Sequence, residues 1–309
     1  MKVIFVVPPQ VQLLDITGPA HIFYEAKVLR PEIDLCFASI DDTAEIESAA
    51  GLFLSKLTPF KSISLSKEDY IFIPGIDSFL FSDAAFLESS QEFFQWLRVQ
   101  FAAGANICSV CTGAFLLAEA GLLNNKSCTT HWNYFSRFAT KFPEAELKRN
   151  RLFVEDSGIF TSAGVSSGID LSLFILERLY GERFAFELAR ITVVYLRRGS
   201  DDPQLSVFLQ YRNHLEDRIY TAQQYIFEHA SQKLPVETVA AHVHMSPRNL
   251  TRLFKKTTGV TIGAYLNKIR IEKAEHLLSA GHKLDYVAAQ CGFSSESQLR
   301  KSLQGPRQI

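Results

Sequence analysis

Residues 235–256 read PVETVAAHVHMSPRNLTRLFKK, and residues 283–303 read KLDYVAAQCGFSSESQLRKSL. In the first stretch Val236, Val239, Ala240 and Val243 recur at helical spacing. Ser246 is placed to cap a second helix, with Pro247 at the first helical position, where its missing N–H costs nothing. Leu250, Leu253 and Phe254 supply the apolar side of that second helix. Arg248, Asn249, Arg252, Lys255 and Lys256 are left to project outward. Two short helices around a tight turn, the second one basic, suit entry into a DNA major groove.

The second stretch repeats the first. Val239-Ala240-Ala241 returns as Val287-Ala288-Ala289 at an offset of 48, and Leu250 returns as Leu299 at an offset of 49. The second turn is therefore one residue longer, and Gly292 within it is free to take a positive φ. Between the repeats Ile262, Tyr265, Leu266, Ile269, Lys273 and Leu277, periodic with one polar interruption and widened by Ile271, Ala274 and Leu278, predict a long connecting helix. Such a connector can hold two recognition helices about one DNA turn apart, roughly 34 Å. Arg248 suits guanine and Asn249 adenine, whereas Lys255 and Lys256 suit phosphates. The second recognition helix is poorer: Gln298, Arg300 and Lys301 are its candidates, and Glu296 repels phosphate. His242 and His244, near the first turn, are expected at the surface or on phosphate rather than on a metal.

Residues 216–303 resemble the DNA-binding domain of the AraC family of bacterial transcription regulators. The duplicated unit and its connector YLNKIRIEKAEHLL carry the resemblance. It implies operator DNA as a partner, a homodimer, and RNA polymerase as a further contact. The chain departs from the family at 304–309, QGPRQI, where Gly-Pro stops a helix. A loosely held second motif is the expectation there.

Charge divides in the same way. From Arg212 onward there are 14 Lys and Arg against 8 Asp and Glu, a net of +6; the preceding chain carries −7. A basic tail on an acidic body fits phosphate contacts at one end only. The 309 residues suggest two domains, and 47% hydrophobic residues suggest ordinary globular ones. The opening MKVIFVVPP has too short an apolar run for a signal core, and no run approaches the roughly 18 residues of a membrane span. Five scattered cysteines do not make a disulfide framework, so a cytoplasmic location is expected.

Toward the N-terminus strands and helices alternate, which predicts an α/β domain with a mainly parallel sheet. Strands are expected at 3–7, 34–40, 70–73, 106–110 and 127–131, with a hairpin pair at 151–155 and 159–162. A helix is expected to begin around Asp15-Ile16-Thr17-Gly18-Pro19. Further helices are expected at 88–103, 112–121, 132–142, 166–180 and 184–194. The polar, aperiodic run 197–203, RRGSDDP, opens a linker. The resulting division is an α/β domain over 1–195, a linker over 196–215 and a DNA-binding domain over 216–309.

The sharpest chemistry of the first half lies in NICSVCTGAFLLAEAGLL, 106–123. A strand runs into Cys111 and a helix leaves at once, as in a nucleophile elbow. The helix N-terminus is expected to lower the thiol pKa. The N–H of Thr112, with one from Gly75 or Ile76, is a candidate oxyanion donor. Cys108 and Cys111 formally match a redox CxxC, but Cys108 falls inside the strand, so a structural Cys108 beside an exposed Cys111 is preferred. Cys36, Cys128 and Cys291 are expected to be small buried hydrophobes.

Residues 1–195 resemble the DJ-1/PfpI group of amidotransferase-like domains, through LLDITGPAHIF, the IPG turn, SVCTGAFLLAEAGLL and TTHW. The resemblance implies a flavodoxin-like α/β sandwich. Cys111 falls at the family's nucleophile position, Asp15 at the acid facing it, and His131 at a histidine after the next strand. Gly75-Ile76 departs from the family's Gly-Gly turn. Fused to an AraC-type tail, the domain is expected to sense a small metabolite, amino-acid-like or a quaternary amine, without turnover, cofactor or metal. Two alternatives stay open: a cysteine-dependent isocyanide hydratase or amidase with a vestigial tail, and a redox sensor acting through Cys111.

Overall fold

Val3 to Val7 are buried on both faces of their strand, the pattern of a strand inside a helix-covered parallel sheet. The computed structural model describes residues 1–41, 43–149, 151–194, 198–200, 202–279 and 281–304. They fall into two units, Met1–Gln204 and Leu205–Ile309. Arg197 and Asp201 of the polar run, and 305–309 of the expected C-terminal departure, lie outside the described residues.

The first unit runs β1 (Lys2–Val7), α1 (Leu13–Leu29), β2 (Asp34–Ser39), β3 (Glu45–Glu47), β4 (Phe53–Ser55), β5 (Thr58–Pro59), β6 (Tyr70–Ile73), α2 (Ala84–Ser89) and α3 (Gln91–Ala102). It continues with β7 (Asn106–Val110), α4 (Gly113–Glu119), β8 (Ser127–Cys128), α5 (Phe135–Lys141), β9 (Glu146–Leu147), β10 (Phe153–Asp156), β11 (Ile159–Ser162), α6 (Ser167–Tyr180) and α7 (Glu182–Ile191). The main sheet has the order β10-β11-β7-β6-β1-β2-β5, parallel except for β10. Ser157 (φ 52°) and Gly158 (φ 81°) close the β10–β11 hairpin with the two left-handed residues of a type I′ turn. Along β6 and β7, Tyr70, Phe72, Cys108 and Val110 face one core, while Ile71, Ile73 and Ile107 face the other. Strand order reverses between β1 and β6, so the carboxyl ends of β1, β6 and β7 form the crevice where such sheets bind ligands.

Several expected elements differ. The helix α1 begins before Asp15 and carries Gly18-Pro19 inside it, because α1 and α6 approach closely there. A Cβ on Gly168 would lie 2.9 Å from Pro19, and one on Gly18 3.1 Å from Ile169. The helix expected at 88–103 breaks at buried Ser90 into α2 and α3. The strand expected at 127–131 keeps only two residues. Thr129 and Thr130 turn inward: Thr129 N–H donates to Thr161 Oγ1, and Thr130 Oγ1 to the Cys111 carbonyl. The helix expected at 132–142 opens as a 3₁₀ turn over Trp132–Tyr134.

The second unit contains α8 (Val207–Gln210), α9 (Asp217–Glu228), α10 (Val236–His242), α11 (Pro247–Thr258), α12 (Ile262–Ser279), α13 (Leu284–Gln290) and α14 (Glu296–Gln304). The segment expected as linker thus contributes Arg198 and Gln204 to the first unit and α8 to the second. Two cores form in the second unit. Ile219, Val239, Leu250, Phe254, Tyr265 and Ile269 build one; Ala274, Val287, Ala288, Cys291, Phe293 and Leu299 build the other. The connecting helix α12 supplies a side to each, which is why its apolar positions are spread along its length.

Candidate functional site

Cys111 has φ 58°, a left-handed conformation imposed by the abrupt passage from β7 to α4. Three glycines make room for it. A Cβ on Gly164 (φ 108°) would sit 2.4 Å from Cys111 Cβ and 2.7 Å from its Sγ. A Cβ on Gly75 would lie 2.4 Å from Asp15 Oδ2, and one on Gly113 2.2 Å from the Ile73 carbonyl oxygen. The tight turns at the ends of β6, β7 and β11 therefore converge on one thiol.

Asp15, in the first turn of α1, is 2% exposed. Its Oδ2 accepts the Gly75 N–H at 3.1 Å and its Oδ1 the Val165 N–H at 2.7 Å. Burial raises its pKa, opposed by hydrogen bonds from Val165, Cys111 and Gly75. Cys111 is 7% exposed rather than open at the surface. Burial, and then the adjacent Asp15 charge, push its thiol well above the ordinary range. This reverses the expected lowering: the N–H and side chain of Thr112 pull downward, but desolvation and a neighbouring carboxylate outweigh them. The site favours a neutral thiol beside Asp15.

The expected second oxyanion donors are engaged. Gly75 N–H is held by Asp15, and Ile76 N–H by Thr112 Oγ1 at 3.0 Å, whose hydroxyl in turn donates to the Ile76 carbonyl at 3.0 Å. Asp15 and Thr112 are the groups acting on the thiol. His131 follows Thr130; its Nδ1 accepts the Asn133 N–H at 3.3 Å and its ring packs on Trp132 and Tyr134. Burial lowers its pKa.

The sequence reading missed Thr130, Gly164 and Val165. The run 163–168, AGVSSG, directly after a strand, was the available signal, since close turns at strand ends collect small residues. Cys108 is fully buried in β7, and Cys36 is only partly buried on β2, unlike the expected small buried hydrophobe. All five cysteines are free, and the described residues contain no His/Cys/Asp/Glu group suited to a metal.

In the second unit Ser246 Oγ accepts the Asn249 N–H, Pro247 starts α11, and Gly259 (φ 78°) ends it. Leu250 and Phe254 are fully buried, while Arg248, Asn249, Arg252, Lys255 and Lys256 are exposed. Arg248, Arg252, Lys255 and Lys256 border a cleft of 760 Å³ along α10 and α11 that also includes Glu237. The turn between these helices places His244 at φ 53°, the position Gly292 (φ 76°) takes in the repeat. His242 stacks on Tyr225 with ring centroids 4.1 Å apart. On α14, Gln298 Oε1 accepts from Ser294 N–H and Oγ, and Ser295 Oγ accepts the Gln298 N–H, a capping arrangement that ties Gln298 to its own helix start. Arg300 lies 3.8 Å from Glu296, and Lys301 is exposed.

Residues 1–178 match the DJ-1/PfpI family and residues 239–304 a helix-turn-helix domain. The HTH-type transcriptional regulator GbdR of Pseudomonas aeruginosa is 26% identical over 231 residues, covering 74% of this chain and 63% of the relative. The chain thus spans under two thirds of that regulator's length. Isonitrile hydratase of Pseudomonas putida is 32% identical over 181 residues, covering 59% of this chain and 73% of the enzyme. Among solved structures, an AraC family transcriptional regulator from Pseudomonas putida shares the fold with a TM-score of 0.53 at 20% identity, over 62% of this chain and 98% of that one.

Proposed function

The chain belongs to the DJ-1/PfpI family, and from that premise we propose that it is a DNA-binding transcription regulator whose first unit senses a small metabolite. One observation carries the reading: α11 is capped at both ends, anchored by buried Leu250 and Phe254, and turns Arg248, Asn249, Arg252, Lys255 and Lys256 to solvent. That is what a recognition helix needs, and α13–α14 repeat the plan. Arg248 and Asn249 read base edges, with Arg252 one turn on, while Lys255 and Lys256 neutralise phosphate. Arg300 and Lys301 add phosphate contacts, and Gln298 orients the start of its helix. The metabolite, amino-acid-like or a quaternary amine, binds beside Cys111 and Asp15. The regulator works as a homodimer on operator DNA in the cytoplasm, with RNA polymerase as its further partner.

An enzymatic reading has the Cys111–Asp15 pair and the likeness to isonitrile hydratase in its favour. Against it stand the raised thiol pKa and the occupied Gly75 and Ile76 N–H groups. Selection from sheared DNA of the source genome separates the two. The regulator enriches a discrete site, and Arg248→Ala/Arg252→Ala loses it. Absence of enrichment, with Cys111-dependent turnover of an isonitrile, would establish the enzyme instead.

A further inference from the structure

The chain leaving the first unit is pinned to the walls of the Cys111 site at two places. Arg198 N–H donates to Asp170 Oδ1 at 3.1 Å, its Nε to Oδ2 at 3.0 Å, and its Nη2 to Oδ2 at 2.5 Å and to Ser166 Oγ at 2.8 Å. Six residues on, Gln204 Nε2 lies within hydrogen-bond distance of Thr129 Oγ1 (3.0 Å) and the Thr130 (2.9 Å) and Arg151 (3.1 Å) carbonyls. Between them the Ser200 carbonyl accepts the Leu152 N–H at 3.2 Å.

Each anchor leads back to the Cys111 site. Ser166 follows Val165, whose N–H is held by Asp15 Oδ1. Thr130 Oγ1 donates to the Cys111 carbonyl at 2.9 Å. Val165 is β-branched yet sits at φ 51°, a conformation that survives only while its surroundings hold it. The bond to Asp15 is part of that hold. Ser167 Oγ, which accepts the Gly164 N–H at 2.6 Å, is another.

We infer that residues 198–200 and 202–204 form a strap that reports the state of the Cys111 site to the DNA-binding unit, an inference that rests on that site being where effector binds. When ionised, the Asp15 carboxylate only accepts hydrogen bonds, so the ligand group that engages it is a donor, as the ammonium of an amino-acid-like ligand is and a quaternary amine is not. When such a group takes Oδ1, Val165 loses its partner and its strained backbone relaxes. Ser166 moves with it and loosens the grip on Arg198. The Gln204 anchor responds through Thr130. Residue 205 follows the strap directly, so its release adds up to seven residues of free tether before the second unit. Two arrangements with different ligand affinity are what effector control requires.

Linkage is reciprocal, which gives the test. In the full-length protein, alkylation of Cys111 by iodoacetamide is followed by mass spectrometry for wild type, Arg198→Gln and Gln204→Ala, together with amide hydrogen exchange. Loosening the strap from its far end is expected to speed Cys111 alkylation by about fivefold or more in both variants, the lower end of ordinary coupling between sites. The β1 amides should keep wild-type protection, which shows that the fold is intact. From the pocket side, Asp15→Asn is expected to speed exchange of the Leu152 amide, whose acceptor lies on the strap. Faster exchange over 198–204 with Cys111 alkylation unchanged would overturn the inference. Should Asp15→Asn fail to fold, the strap variants decide alone. Neither readout involves DNA, so loss of DNA binding and loss of coupling are scored separately.

Discussion

Replacing Gly164 by alanine tests the packing of the elbow. The perturbation has two parts. At φ 108° an L side chain strains the backbone by about 1–3 kcal/mol. The new Cβ would also stand 2.4 Å from Cys111 Cβ, 2.7 Å from its Cα and 2.7 Å from its Sγ, and the Cα and Cβ cannot yield without the backbone. Overpacking of this kind costs about 1–3 kcal/mol more, for a total near 4 kcal/mol. Gly121→Ala is the control: its φ is 70° and nothing lies within 4 Å of its Cβ, so only about 1–2 kcal/mol of backbone strain remains. Both tryptophans, Trp96 and Trp132, lie in the first unit, so fluorescence-detected urea unfolding of the full chain reports that unit. With a slope near the upper end for small proteins, about 2–3 kcal/mol/M, the two variants should differ in midpoint by about 1 M. Equal midpoints would mean that Cys111 and Gly164 are not in close contact, and the site geometry would fall with them.

Other consequences follow from the same groups. The folded state keeps the protons on Cys111 and Cys108 at pH values where an unfolded chain releases them, so raising the pH favours unfolding. Stability should fall by about 1.4 kcal/mol per pH unit for each such thiol as pH rises above the ordinary thiol pKa, about 8.5. Cys111→Ser should flatten that decline by one group's share, as read from urea midpoints between pH 7 and 10. Gly292→Ala would drive a Cβ to 2.8 Å from the Ser231 carbonyl and 2.9 Å from that of Ala230. It should open α13 and α14 to hydrogen exchange while α10 and α11 stay protected. His244→Gly, at the matching position, removes left-handed strain and should leave the first motif as stable or more stable by about 1 kcal/mol. Loss of stability there would show that the His244 side chain holds the turn.

The helical repeat was legible because its signals are local: Ser246-Pro247 as a cap, Gly292 in the turn, and apolar residues at helical spacing. Strands β6 and β7 were legible for the same reason, being short apolar runs between turn signals. The elbow at Cys111 followed from a strand meeting a helix. What the sequence concealed depends on contacts far apart in the chain. The bond from Val165 to Asp15 spans 150 residues, and the anchors at Arg198 and Gln204 fall in a stretch whose polarity reads as linker. The direction of the Cys111 pKa was misjudged because a helix N-terminus is visible in sequence, whereas burial and the closeness of Asp15 are not. His131 was matched to a family histidine by resemblance alone, and its contacts with Asn133, Trp132 and Tyr134 could not be read from sequence.

The most direct test of the regulator is the salt dependence of its binding to the enriched DNA site, followed by fluorescence anisotropy. Lys255 and Lys256 on α11, with Arg300 and Lys301 on α14, give four exposed cations assigned to phosphate. At about 0.9 per neutralised phosphate, the slope of log K against log salt should be near −3.6 for one chain and near −7 for a dimer. Lys255→Ala should reduce it by about 1 per chain and weaken all sequences alike, whereas Arg248→Ala should also relax sequence preference. A slope near zero, or one that survives loss of all four cations, would contradict the account.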